Sequence, residues 1–180
     1  GGGVARRLAR GGGVGADAEQ IVIGGGRQDG FKLVGRRLVT PGATAVVESP
    51  CYQGAAFVLE SLGATLHPVP VDQDGLDVSR LPKTRGAVAY VTPSHQYPIG
   101  VTMSLQRRLA LLASPTQYDA YLMEDDYDSA FRLIASPLTA LPQPDRTRRC
   151  LLLRTISQST EPSLPPPPVL LPRLPPAARL

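Results

Sequence analysis

The 180-residue sequence predicts an α/β domain with a mostly parallel sheet covered by helices on both faces. Three observations point to it. Short apolar runs alternate with helix-like segments, several runs are apolar on both faces as strands between two layers must be, and the helix-like segments end at glycine or proline stops.

Taken in order, ARRLAR at residues 5 to 10 reads as a solvated helix face. IVI at 21 to 23 reads as a first strand, followed by a glycine-rich turn and a helix over 28 to 39 that stops at Pro41 and Gly42. A second strand is expected at 45 to 48 (AVVE). A helix follows at 53 to 62, with Gly63 placed where positive φ is tolerated. Strands are expected at 65 to 70 (TLHPVP) and 87 to 92 (AVAYVT). Next comes a helix over 105 to 114, with Ser104 as N-cap and Leu105, Leu109 and Leu112 on one face. Strands at 118 to 123 (YDAYLM) and 150 to 156 (CLLLRTI) complete the alternation. The segment 161 to 180 carries eight prolines, four of them in a row at 165 to 168. Proline donates nothing to a β ladder and holds φ near the polyproline value, so this segment reads as an extended or disordered tail behind a domain spanning 1 to 160.

Composition narrows the function classes. With 42% hydrophobic residues the chain can bury one sizeable core, and it is too short for two full domains. Two cysteines, Cys51 and Cys150, are too few for a disulfide framework, and the sequence opens without a secretory leader, so a reducing, cytoplasmic location is expected. No apolar stretch approaches the roughly 18 residues of a membrane span. The net charge of +4 rests almost wholly on arginine, since Lys32 and Lys83 are the only lysines. Those arginines form no continuous stripe of the kind that tracks a phosphate backbone.

In an open parallel sheet, ligands sit outside the carboxyl ends of the strands, so the residues that follow each apolar run are the candidates. After IVI comes GGGRQDG, a loop entering a helix whose N-terminal N–H groups suit a phosphate, although it matches neither GxGxxG nor a P-loop. After AVVE comes SPCYQG, with Tyr52 at a helix start, where it can either cover a flat ligand or pack in the core. After AVAYVT comes PSHQYPIG. Its Ser94 and His95 are neighbours in an extended segment and point opposite ways, which argues against a nucleophile and base pair. After YDAYLM comes EDDYD, four carboxylates in five residues from Glu124 to Asp128. With only two histidines and no ligand spacing, a metal site there is disfavoured.

The stretches YVTPSHQYPIGVTMSLQRRLALL and MEDDYDSAFR resemble the aminotransferase-like domain of MocR-type transcriptional regulators, a subgroup of the GntR regulators. Those domains are similar to fold-type I enzymes that use pyridoxal 5′-phosphate (PLP), and the likeness extends more weakly from residue 1 to about 164. It implies a PLP-binding, effector-sensing large domain. Gly26, Arg27 and Gln28 fall on the family's phosphate loop, Tyr52 on the aromatic that stacks on the pyridine ring, and Tyr97 on the loop near the ring hydroxyl. Asp125 matches the aspartate that pairs with the pyridinium nitrogen, Tyr127 a group that bonds the phenolic oxygen, and Ser157 a further cofactor contact. Glu124, Asp126 and Asp128 are left with local structural or solvated roles.

The resemblance also implies a loss. The family's T-F-S-K-T-x-x-P-x-L-R motif, whose lysine attaches PLP as a Schiff base, aligns with TISQSTEPSLP, so that Gln158 takes the lysine position and Pro165 the arginine position. An amide nitrogen is not nucleophilic and cannot make that bond. In the family, a winged helix contacts DNA and a small C-terminal domain binds the substrate carboxylate. Neither is among these 180 residues, so the chain reads as a truncated and degenerate central piece, dimeric in its family, with no catalytic residue of its own. Two alternatives remain: a fragment of a class I/II aminotransferase, and a decayed fragment that binds no cofactor.

Overall fold

The computed structural model describes residues 21–23, 27–127, 150–154 and 168–170, with side chains described over 29–115 and 118–127. The strands are β1 (Ile21–Ile23), β2 (Thr44–Ser49), β3 (Thr65–Asp72), β4 (Gly75–Leu76), β5 (Val88–Val91), β6 (Tyr121–Asp126), β7 (Cys150–Arg154) and β8 (Pro168–Leu170). The helices are α1 (Arg27–Leu38), α2 (Gln53–Ser61) and α3 (Leu105–Tyr118). Six strands form one sheet in the order β4-β3-β2-β5-β6-β7, in which β4 is antiparallel to β3 and the other neighbours run parallel. The α/β class expected from the alternation is therefore the observed one.

Side-chain alternation along the central strands divides the core. Ala45 and Val47 of β2, Val88 and Tyr90 of β5 and Met123 of β6 face one side, where Phe31, Val34 and Leu38 of α1 and Ala55, Val58 and Leu59 of α2 cover them. Val46, Ala89, Val91 and Leu122 face the other, under Leu111 of α3 and Leu76 of β4. All four β5 residues are buried, as a central strand between two layers requires. Pro68 and Pro70 are exposed in β3, near the sheet edge, where a missing ladder donor costs least.

Four differences from the expected elements have physical causes. First, the helix that begins at Leu105 runs through Pro115 to Tyr118 and closes on Asp119 at φ 52°, so YDAYLM does not form a strand from 118. β6 starts at Tyr121 instead and takes Glu124, Asp125 and Asp126 into the sheet. Second, α3 turns Arg108, Leu111 and Pro115 inward, leaving Leu105 and Leu109 exposed, although the N-cap is Ser104 as expected. Third, β1 lies outside the main sheet and pairs antiparallel with β8, Val22 opposite Val169. Fourth, β4 was not anticipated from the sequence. Gly75 makes it possible, with φ 95° and backbone so near Met103 that an added Cβ would sit 3.0 Å from it. Pro168 to Leu170 belong to the proline-rich tail and are extended there; the rest of that tail and the ARRLAR segment lie outside the described residues.

Candidate functional site

Chain order sets the position of the site. From β2 the sheet grows one way to β3 and the other way to β5, so the strand order reverses between β2 and β5, the position at which open parallel sheets form a ligand crevice beyond the carboxyl ends. The loop after β2 carries Tyr52, and the loop after β5 carries His95 and Tyr97. Their rings meet edge to face, Tyr52 with Tyr97 at 5.8 Å, Tyr97 with Tyr127 at 6.2 Å, and Tyr127 with His95 at 5.9 Å between centroids. Tyr52, Tyr97 and Tyr127 are thus brought into one aromatic cluster from three separate loops.

Tyr52 is held close to the start of α2. Its ring lies over Gly54, where a Cβ would come within 2.5 Å of Tyr52 Cζ, so glycine is what lets the ring settle there. β6 stops at Asp126, so strand alternation no longer governs Tyr127, and a turn directs its ring to the cluster.

Asp125 is 3% exposed near the end of β6, and Oδ2 accepts a hydrogen bond from the Tyr90 hydroxyl at 2.5 Å. The ring of Tyr90 packs against Phe31 at 5.1 Å, which joins the early turns of α1 to the face that holds Asp125. Arg27 and Gln28 open that helix. Its first turn also contains Asp29, which adds a negative charge to the end that would receive a phosphate. Gly26, Asp128, Ser157, Gln158 and Pro165 lie outside the described residues, as do the side chains of Arg27 and Gln28. Glu124 and Asp126 are 4% and 6% exposed, so a solvated role for them gives way to burial inside the sheet.

One buried carboxylate at this end of the sheet was not singled out in the sequence. Glu48, the last buried residue of β2, is 2% exposed and accepts hydrogen bonds from the Thr92 hydroxyl at 2.5 Å, the Thr92 N–H at 3.3 Å and Gln96 Nε2 at 3.2 Å. Burial pushes its carboxyl above the ordinary 4.5; the hydrogen bonds from Thr92 and Gln96 oppose the rise, and the negative charge of Asp125 adds to it. Burial, with the Glu48 charge nearby, likewise raises the Cys51 thiol. In AVVE the glutamate closes an apolar run, but its partners Thr92 and Gln96 lie far along the chain. Among the described residues no group of three or more His, Cys, Asp and Glu could hold a metal ion.

A buried carboxylate beside an aromatic wall, near the start of a helix that can receive an anion, is a donor set suited to a flat, cationic heteroaromatic ring bearing a phosphate. The residues present fit PLP in that respect. Asp125 would face the ring nitrogen and keep it protonated, which is what lets the bound ring act as an electron sink.

The fold and this crevice define the class: an α/β domain of the PLP-dependent aminotransferase fold. An archaeal alanine:glyoxylate aminotransferase matches it with a TM-score of 0.79 and 29% identity, over 93% of this chain and 44% of that one. No protein-family model matches. The sequence relatives carry the assignment further. The chain is 35% identical over 161 residues to the probable rhizopine catabolism regulatory protein MocR of Rhizobium meliloti, covering 89% of this chain and 33% of that protein. It is 39% identical over 150 residues to the pyridoxine biosynthesis transcriptional regulator PdxR of Corynebacterium glutamicum, covering 82% and 32%. Its homologues are MocR-type regulators of the GntR family, and the chain resembles their aminotransferase-like domain. It spans about a third of the length of the curated relatives it matches. Aminotransferase neighbours and relatives of this kind imply PLP dependence in the family.

Proposed function

We propose that this chain is the PLP-binding, effector-sensing domain of a MocR-like cytoplasmic transcriptional regulator and that it carries out no transamination. The observation that carries the reading is Asp125, buried near the carboxyl end of β6 with Tyr90 on Oδ2, on a sheet whose strand ends carry the clustered rings of Tyr52, Tyr97 and Tyr127. A carboxylate withdrawn from water in that position favours a protonated ring nitrogen. Gln158, aligned with the attaching lysine, removes covalent capture, so PLP binds reversibly through shape, phosphate and ring contacts. The effector is then PLP itself or an amino acid that reacts with it. Contact with DNA belongs to a winged-helix segment of the full regulator, which works as a dimer.

The test separates binding from attachment. The purified chain is incubated with PLP, and one half is dialysed to equilibrium while the other is reduced with borohydride and weighed intact. Retained PLP with no pyridoxyl mass increment is the expected result. A stoichiometric adduct on one lysine would show that Lys32 or Lys83 has taken over attachment and would sink the non-covalent reading. The aminotransferase reading makes a separate demand: Gln158→Lys should restore turnover of an amino acid. We expect none, because Pro165 still stands where the family's motif has arginine.

A further inference from the structure

We propose that Glu48 is the positioning residue of the aromatic crevice, tying the loop that carries Tyr52 to the loop that carries Tyr97. The connections run in both directions from its carboxylate. Towards β5, Thr92 Oγ1 donates to Glu48 Oε2 and in turn accepts the Tyr97 N–H at 3.2 Å. Gln96 Nε2, which also donates to Glu48, reaches the Tyr97 carbonyl at 2.7 Å, so Tyr97 is gripped at both its backbone polar groups. Towards the β2 loop, Gln96 Nε2 reaches the Pro50 carbonyl at 2.8 Å, two residues before Tyr52. Gln96 Oε1 accepts the Ile99 N–H at 3.2 Å, and the Gln96 carbonyl accepts the Gly100 N–H at 2.6 Å, which closes the loop on itself.

The consequence is specific to the rings. Tyr97 is 44% exposed and has little side-chain burial to fix it, yet its backbone is fixed from inside the protein by a carboxylate 2% exposed. Tyr52 is braced by Gly54 beneath and by the edge of Tyr97 beside it. Releasing Glu48 therefore changes the angle between two rings without emptying the hydrophobic core. This goes beyond the PLP reading and depends on it only for one of its two readouts.

The chain has six tyrosines and no tryptophan, so its near-ultraviolet circular dichroism reports tyrosine packing directly. Thr92→Val removes the relay hydroxyl, Thr92→Ser keeps it, and Glu48→Gln preserves shape while turning an N–H₂ toward one of the existing donors. Should Thr92→Val fail to fold, Glu48→Gln decides. We expect both disruptive variants to keep a native far-ultraviolet spectrum and lose much of the tyrosine signal. Their affinity for PLP by equilibrium dialysis should fall about tenfold, with Thr92→Ser within about threefold of the parent. A role confined to stability would lower the melting temperature and leave the tyrosine spectrum unchanged, which overturns the proposal. If the parent chain itself takes up no PLP, the cofactor reading falls, and the tyrosine spectra alone decide whether Glu48 positions the rings.

Discussion

Glu48 and Arg107 each tie a loop to a neighbouring element, one inside the protein and the other half in water. Glu48 holds the loop after β5 from a site 2% exposed. Arg107, near the start of α3, holds the β3–β4 turn by donating to the Leu76 carbonyl at 2.6 Å and to Asp72 Oδ2 at 2.7 Å, with side chains 25% and 49% exposed. Both sets lie within hydrogen-bonding range and differ in surroundings. Without its partner, a buried polar group loses water as well, whereas an exposed one exchanges protein for solvent. Similar geometry thus gives rigidity in the first case and little more than register in the second.

The sharpest way to break this comparison is Glu48→Ala. It strands the Thr92 N–H and hydroxyl in the interior, while Gln96 Nε2 keeps the Pro50 and Tyr97 carbonyls, and chemical denaturation should show a loss of about 3 kcal/mol. A loss no larger than that of Arg107→Ala would end the distinction. Next in size is Tyr90→Phe, which takes a buried hydroxyl from Asp125 and should cost about 2 kcal/mol while leaving the Phe31 packing intact. Stability unchanged in that variant would mean that Asp125 does not depend on the Tyr90 hydroxyl.

The two clamps should also answer to pH with opposite sign. Glu48 has its pKa raised in the fold, so its contribution is complete below the ordinary 4.5 and is lost as pH rises through the higher folded value. Asp72 is lowered mainly by the Asp74 N–H and then by Arg107, and Asp77 is lowered mainly by Ser79 and less strongly by Arg107. Their contributions are present above the ordinary 3.8 and vanish as pH falls through the lower folded values. Stability curves of Glu48→Gln and Arg107→Ala against the parent should therefore diverge in opposite directions, and parallel curves would contradict the assignment. The Arg107→Ala loss should be small and shrink further in high salt. The smallest stability change is expected for Gly54→Ala. A helical alanine gains about 1 kcal/mol over glycine, which the displaced Tyr52 ring offsets, so the tyrosine spectrum should change while the melting temperature hardly moves.

Much of the fold was legible because apolar runs and stop signals are local. β2, β5, α1 and α2 lie within a few residues of where alternation and Gly63 or Pro41 put them. The departures are tertiary. Nothing local distinguishes Leu109, exposed, from Leu111, buried, until the sheet sits beneath α3, and Pro115 hides a helix that continues past it. At the site, Tyr52, Tyr97 and Tyr127 were named together through family resemblance alone, since no local pattern links three residues on three loops; their rings meet edge to face. Glu48 was overlooked because its partners Thr92 and Gln96 lie 44 and 48 residues along the chain, and pairing over that distance leaves no periodic trace.

That same separation bears on how the chain assembles. The β3–β4 hairpin closes within a few residues and can form early, whereas the register of β2 beside β5 must wait until the whole intervening crossover has collapsed. Glu48 meets Thr92 only across that register, so the order of the ring pair depends on a contact between segments 44 residues apart rather than on either loop alone.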